Sequence, residues 1–246
     1  EAGFEGFEEN DRGLKAFIRE KKYDKKFLQE LAFKYQIGFA EEVIPEQNWN
    51  SSWETNFQPV VVDDFVAIRA DFHEPIKGVE QEIIITPKMS FGTGHHATTS
   101  MMIRQMRNIR FAGKSVFDFG TGTGILAILA EKLGAQEVTA IDNDDWSIAN
   151  AAENIEKNDC RKIRLEKNDH LTGTEKYEII LANINRNVIM ENFSALSGHL
   201  APGGILLLSG LLITDREAII QLAGTFRLKV SASVEQNNWI CLRFNH

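Results

Sequence analysis

Two hydrophobic rhythms run along this chain, and the place where they meet divides it. From residue 115 onward, short apolar runs alternate with stretches where apolar side chains recur every three or four positions, the order of a parallel sheet flanked by helices. Residues 115–119, 138–141, 163–166, 177–182 and 205–210 read as buried strands, the last being the most apolar. Helices are predicted over 125–133, 188–200 and 215–223, and over a segment beginning at Asp144 or Asp145, where Ile148, Ala151, Ala152 and Ile155 share one face. Gly134 ends the first of these as a left-handed C-terminal residue, and Pro202-Gly203-Gly204 predicts a turn. Residues 226–234 and 239–244 are strand-like and joined by Glu235-Gln236-Asn237-Asn238, which leaves no room for a helix, so the chain ends in a hairpin.

The first part has its own rhythm. Residues 4–8 and 14–19 around Asn10-Asp11-Arg12-Gly13 read as a hairpin, and residues 24–35 as a helix with Phe27, Leu28, Leu31 and Tyr35 on one face. Residues 39–44 read as a further strand. Strand, strand, helix, strand is a ferredoxin-like α+β unit lacking one leading strand and helix. With Glu rather than Met at position 1, the expectation is an absent leader of roughly 20 residues or slightly more. The predicted division is a small domain over 1–46, a linker over 47–57 carrying Trp49 and Trp53, and a larger domain over 58–246 that opens with a β-rich stretch, 60–85. The tryptophans read first as pins that bury the connector on one domain, and second as a hinge.

Composition changes this picture little. At 246 residues with 43% hydrophobic and 25% charged content, the chain is ordinary for a globular protein with a sizeable core. A net charge of -8 disfavours binding nucleic acid through phosphate neutralisation and suits a basic partner or simple solubility. Cys160 and Cys241, the two cysteines, fit neither a disulfide framework nor zinc-ligand spacing, and a reduced, cytoplasmic setting is expected. No apolar run is long enough to span a bilayer, and the acidic, aromatic start lacks the order of a signal peptide.

Chemistry concentrates in two motifs. Asp118-Phe119-Gly120-Thr121-Gly122-Thr123-Gly124 is a glycine-rich strand-to-helix turn, which lets backbone approach a ligand at the end of a parallel sheet. Ile125 stands where the dinucleotide fingerprint needs its third glycine, so a pyrophosphate cradle is disfavoured. Upstream lies Met89-Ser90-Phe91-Gly92-Thr93-Gly94-His95-His96-Ala97-Thr98-Thr99. No Cys, Asp or Glu stands at ligand spacing with His95 and His96, so no metal is expected. One of Thr98 and Thr99 starts a helix, Thr98 being the candidate cap. Asp142 at the tip of the second strand reads either as a ligand for ribose hydroxyls or as a helix cap, a role Asp144 and Asp145 can fill. Asn183 ends the fourth strand, where it is a strand-end turn residue or part of the site.

Together, Phe-Gly-Thr-Gly-x-His-x-Thr-Thr ahead of Asp-Phe-Gly-x-Gly-x-Gly resembles the bacterial methyltransferases that modify lysines of large-subunit ribosomal protein eleven. The resemblance covers residues 89–210 by motif and the first 57 only by element order. It implies a class I, Rossmann-like methyltransferase sheet closed by an antiparallel hairpin, with S-adenosylmethionine as cofactor and no metal. It implies an amino-terminal recognition domain, and as partner the ribosomal protein, free or on the ribosome. Neither a membrane nor direct sequence-specific nucleic acid binding is implied. By the family pattern Thr99, Gly120, Gly122, Asp142 and Asn183 bind the cofactor, Asn183 orients the incoming amine, and His96 braces the loop over the methionine end. Thr121 and Thr123 replace the usual Cys and Ser, and Asn185 stands where leucine is usual, beside the acceptor pocket. Rival readings are a same-fold enzyme with another amine or amide acceptor, a nicotinamide oxidoreductase, and a non-catalytic S-adenosylmethionine-binding module. Asn183-Ile184-Asn185-Arg186 lacks the proline pair and aromatic of amide and adenine methyltransferases, and the glycine spacing with the final hairpin opposes the oxidoreductase.

Overall fold

The computed structural model describes residues 4, 6–10, 13–43, 57–88 and 94–246. The chain divides into two compact units, Glu1–Gln47 and Asn48–His246. In the first, β1 (Gly6–Asn10) and β2 (Gly13–Phe17) pair antiparallel. Helix α1 (Lys25–Tyr35) follows, its first turn capped by Asp24, whose carboxylate accepts from the Phe27 amide at 3.0 Å. Gln36, in the left-handed region, ends it. The predicted helical face is only partly covered: Leu28 and Leu31 are half-buried, while Phe27 and Tyr35 stand exposed. The strand expected over 39–44 does not form in its described part, 39–43, because no strand among the described residues takes up its backbone groups. Trp49 and Trp53 lie outside the described residues. Phe57, read as the end of the linker, is instead buried in the core of the second unit, edge-on to His95 at 4.9 Å between ring centres.

The β-rich stretch resolves into a separate three-stranded sheet, β3 (Val60–Val62), β4 (Val66–Ala70) and β5 (Gln81–Ile85), in that order. Helix α2 (Ala97–Met106) leads to the main elements: β6 (Ser115–Phe119), α3 (Ile125–Lys132), β7 (Glu137–Asp142), α4 (Asp145–Lys157), β8 (Ile163–Lys167) and β9 (Tyr177–Asn183). Then come α5 (Arg186–His199), β10 (Leu200–Leu212), α6 (Arg216–Thr225), β11 (Lys229–Gln236) and β12 (Trp239–Asn245). The sheet order is β11-β12-β10-β9-β6-β7-β8. All pairs from β10 to β8 are parallel, and β12 runs antiparallel to both its neighbours. This is a doubly wound sheet closed by a hairpin, with its topological switch between β6 and β9.

Alternation along the strands builds two cores. Val116, Ile179, Leu181 and Leu207 pack toward α2, α3 and the small sheet. Phe117, Phe119, Ile180, Ala182, Leu206 and Leu208 pack on the other face, with Ile189 and Phe193 of α5 and Ile219 of α6. Each of the larger of these side chains contributes about 1.5–3 kcal/mol on leaving water. Two turns differ from expectation. Pro202-Gly203-Gly204 is an irregularity inside β10, where the pairing with β9 shifts between Leu200 and Ile205. The final hairpin turns on Asn237 and Asn238 alone, both with positive φ as a two-residue turn requires.

Candidate functional site

A cavity of about 460 Å³ opens at the carboxyl ends of the parallel strands, at the switch between β6 and β9, where ligands of this sheet architecture bind. Gly120, Gly122, Asp142 and Asn183 all line it, so the structure gathers four of the five predicted site residues around one space. The glycine requirement is steric at Gly120: its φ is +74°, and a Cβ there would stand 2.3 Å from Ile184 Cγ2. Gly210, on β10, has the same conflict from the other side, since a Cβ would meet the Ile184 carbonyl oxygen at 2.2 Å. Ile184 is thus seated between two bare backbones, and this close fit shapes the floor of the cavity.

Asp142 is held by backbone. Its Oδ2 accepts from the Gly122 amide at 2.9 Å and its Oδ1 from the Asp144 amide at 3.1 Å. Each carboxylate oxygen keeps a further lone pair for a ligand hydroxyl. Capping of α4 falls to Asp144, whose carboxylate accepts from the Ser147 amide at 2.9 Å. Asn183 donates from Nδ2 to Thr99 Oγ1 at 3.3 Å, while its buried Oδ1 finds no hydrogen-bond partner among the described residues. A buried carboxamide oxygen left without a donor costs about 1–3 kcal/mol, which marks it as a position that a ligand's N–H would satisfy.

Thr99 sits one layer back. It is buried and lines a small chamber of about 20 Å³ beneath the glycine turn, with Gly120, Gly122 and Asn183. Thr98, the expected cap of α2, lines the main cavity instead. The cap is His96, whose Nδ1 accepts from the Thr98 amide and lies 2.7 Å from its hydroxyl. An imidazole can replace the usual Ser or Asp there because an unprotonated ring nitrogen is an equivalent acceptor. The His96 ring meets Trp239 edge to face at 4.8 Å between centres, and both line the cavity.

Sequence reasoning missed Asn168, Asp169 and Trp239. Asn168 and Asp169 follow β8, whose pairing with β7 brings the Asn168 amide to the Asp142 carbonyl at 2.9 Å. Trp239 begins β12 opposite Leu212 and enters the cavity wall only because the hairpin pairs with β10. No local pattern announces either. Asn185, the departure from the family pattern, caps α5 by accepting from the Val188 amide at 3.1 Å, and it lines the cavity too.

Beneath the turn, Asp118 is fully buried. Its Oδ2 accepts from the Thr121 hydroxyl at 2.6 Å, and its Oδ1 has no hydrogen-bond partner among the described residues. Burial pushes its pKa up to about 7; the Thr121 hydrogen bond works against that rise and the nearby Asp142 charge adds to it. Among the described residues, no group of His, Cys, Asp and Glu has metal-holding geometry, and no helix is long and apolar enough to cross a membrane.

A family model described as Ribosomal protein L11 methyltransferase (PrmA) matches residues 4–246. The ribosomal protein L11 methyltransferase of Porphyromonas gingivalis is 41% identical over 252 residues, spanning 99% of this chain and 87% of its own length. Among solved structures, the ribosomal protein L11 methylase of Lactobacillus delbrueckii subsp. bulgaricus aligns with a TM-score of 0.72 at 28% identity, over 77% of this chain and 99% of that one. The T. Thermophilus 16S rRNA N2 G1207 methyltransferase (RsmC), solved with AdoMet and guanosine, shares the fold at a TM-score of 0.56 and 20% identity, over 65% of this chain and 46% of that one.

Proposed function

The chain belongs to the ribosomal protein L11 methyltransferase family, and from that premise we propose that it methylates lysine amines of ribosomal protein L11, the N-terminal amine being a further candidate, using S-adenosylmethionine. The observation that carries this reading is Asn183: a buried, unsatisfied amide oxygen in the same cavity as a bare glycine turn and a carboxylate held by backbone amides.

The residues present fit the donor. Gly120 and Gly122 let a ligand lie against backbone, Asp142 keeps lone pairs for two ribose hydroxyls, and Thr99 acts through the Asn183 amide. The cofactor supplies an electrophilic methyl group on a sulfonium. Asn183 Oδ1 accepts one N–H of the incoming amine and cannot take its proton, so it orients the nitrogen lone pair. At pH 7 a free lysine of pKa about 10.4 must spend roughly 4.6 kcal/mol to deprotonate. Phe119, Ile184, Val188 and Trp239 give the cavity apolar walls that disfavour an ammonium and so lower this cost. Alignment for in-line displacement supplies the rest.

The first unit, with exposed Phe7, Leu14, Phe33 and Val43, is read as the recognition domain for the ribosomal protein, joined to the second by a linker that ends before the buried Phe57. A ribosomal substrate, together with two free, buried cysteines, supports a cytoplasmic setting. The test is to incubate the chain with labelled S-adenosylmethionine and ribosomal protein L11 and to locate the label by mass spectrometry. Label on lysine side chains is the expected result; donor binding without any transfer would favour a non-catalytic module.

A further inference from the structure

Helix α4 and its C-cap carry asparagines at 150, 154 and 158, four apart and therefore stacked along one face. Asn150 and Asn154 are completely buried, and the proposed chemistry uses neither. Burying a carboxamide is costly unless both of its ends are paired, so its partners are informative. These partners are mostly backbone. Asn158 accepts from the Ile84 amide at 3.0 Å and donates to the Ile84 carbonyl at 2.6 Å. Asn154 accepts from the Thr86 amide at 2.8 Å, and Asn150 donates to the Thr86 carbonyl at 3.3 Å. Residues two apart on a strand present their backbone groups to the same side. The asparagines therefore stand where a neighbouring strand would, along the outer edge of β5, and cover an edge of the three-stranded sheet.

Asn154 does one thing more. Its Nδ2 donates to the Thr123 carbonyl in the glycine turn at 2.8 Å, and to Asn150 Oδ1 at 2.8 Å. One side chain thus ties the end of β5, from which the chain runs on toward His96, to the turn that walls the donor cavity. We propose that Asn154 is a positioning residue for the methyl-donor site, holding the glycine turn in its binding shape. This rests on the reading of the cavity given above. The turn contains three glycines with positive φ, whose backbone samples many states unless restrained. Asp142 and the Ile141 carbonyl restrain residues 120–122, and Asn154 acts at Thr123. A turn fixed before binding loses less entropy when the donor arrives, and its affinity rises accordingly.

Asn158 is the internal control, because it bonds β5 and the Asn154 carbonyl but not the turn. The experiment measures S-adenosylmethionine affinity by calorimetry, and melting temperature, for the full chain and for Asn154→Ser, Asn154→Asp and Asn158→Ser. Expected is a donor Kd weakened about tenfold in both Asn154 variants, with the methylation rate at saturating donor within about twofold of the parent. Asn158→Ser is expected to lower the melting temperature comparably while its Kd stays within about twofold of the parent. Hydrogen exchange on the parent needs no variant: donor binding should slow the Thr86 amide, which does not line the cavity but is held by Asn154. Parental donor affinity in a folded Asn154 variant, equal weakening by Asn158→Ser, or unchanged Thr86 exchange overturns the proposal. A parent that binds no donor overturns the cavity reading as well, whereas a parent that binds while the Asn154 variants match it overturns this inference alone.

Discussion

The two units of this chain use similar residues to opposite ends. In the first, no residue from 13 to 43 is buried, and Phe7, Leu14, Phe33, Tyr35, Ile37 and Val43 all face outward. In the second, comparable side chains fill two cores on either face of a seven-stranded sheet. Aromatic and aliphatic surface that covers no core is available to a partner, while surface committed to a core holds a site rigid. The contrast suggests a division of labour, with recognition in the first unit and cofactor binding and transfer in the second.

The sharpest way to break that division is to remove the first unit. A chain beginning at residue 48 keeps Phe57 in its core and every residue that lines the cavity. Its S-adenosylmethionine affinity, by calorimetry, is expected to match that of the full chain. Its kcat/KM on folded ribosomal protein L11 is expected to fall by about a hundredfold or more, because the target lysine is no longer held near the pocket. Methylation at the parental rate would place recognition within the second unit and end the comparison.

The next test lies inside the second unit. For Asn183→Ala, kcat is expected to drop about a hundredfold while donor affinity changes by less than about threefold, since an interaction tightened at displacement acts on the transition state. If turnover survives and affinity collapses, Asn183 is a binding residue. Asp142→Ala should show the reverse split. Losing a charge-assisted acceptor for ribose, and with it the tether on the Gly122 amide, should cost about 1.5–3 kcal/mol, or about 10–150-fold in donor Kd. An unchanged Kd would remove Asp142 from the donor site.

How far these positions could be read before the fold was known follows from where they sit. Gly120, Gly122, Asp142 and Asn183 stand at the ends of strands that their own apolar runs announce, and parallel pairing then brings those ends together. Trp239, Asn168 and Asp169 depend on which strand lies beside which, a relation no local pattern encodes. The same limit explains a misread turn and a misread strand. Pro202-Gly203-Gly204 has turn chemistry but is absorbed as an irregularity in β10, which continues on both sides. Residues 39–43 have strand-like composition, yet a strand exists only through its neighbour. The family pattern gives His96 a place in the loop over the methionine end, and only the geometry shows that it caps α2.

The last expected effect separates the two units by the sign of their response to pH. In the exposed first unit, hydrogen bonds from Lys25 and then Tyr23 lower the pKa of Glu41. Its contribution is present above the ordinary carboxylate value and fades as pH falls through the folded one. Asp118 in the second unit goes the other way. Its folded pKa of about 7 lies above the ordinary value near 3.9, so between roughly pH 4 and 7 the folded chain keeps a proton that the unfolded chain has lost. Rising pH then favours unfolding, by a total on the order of 4 kcal/mol once pH passes 7. Asp118→Asn keeps the shape and an acceptor for the Thr121 hydroxyl without the charge. Parent and variant should melt at similar temperatures near pH 4, and the variant's advantage should widen up to about pH 7, reaching roughly ten degrees by pH 8. Calorimetric melts across that range decide it: a constant gap from pH 5 to 8 would mean that Asp118 carries its charge in the folded chain throughout. The core beneath the glycine turn would then be more polar than its burial implies, and the contrast between the units would be one of surface alone.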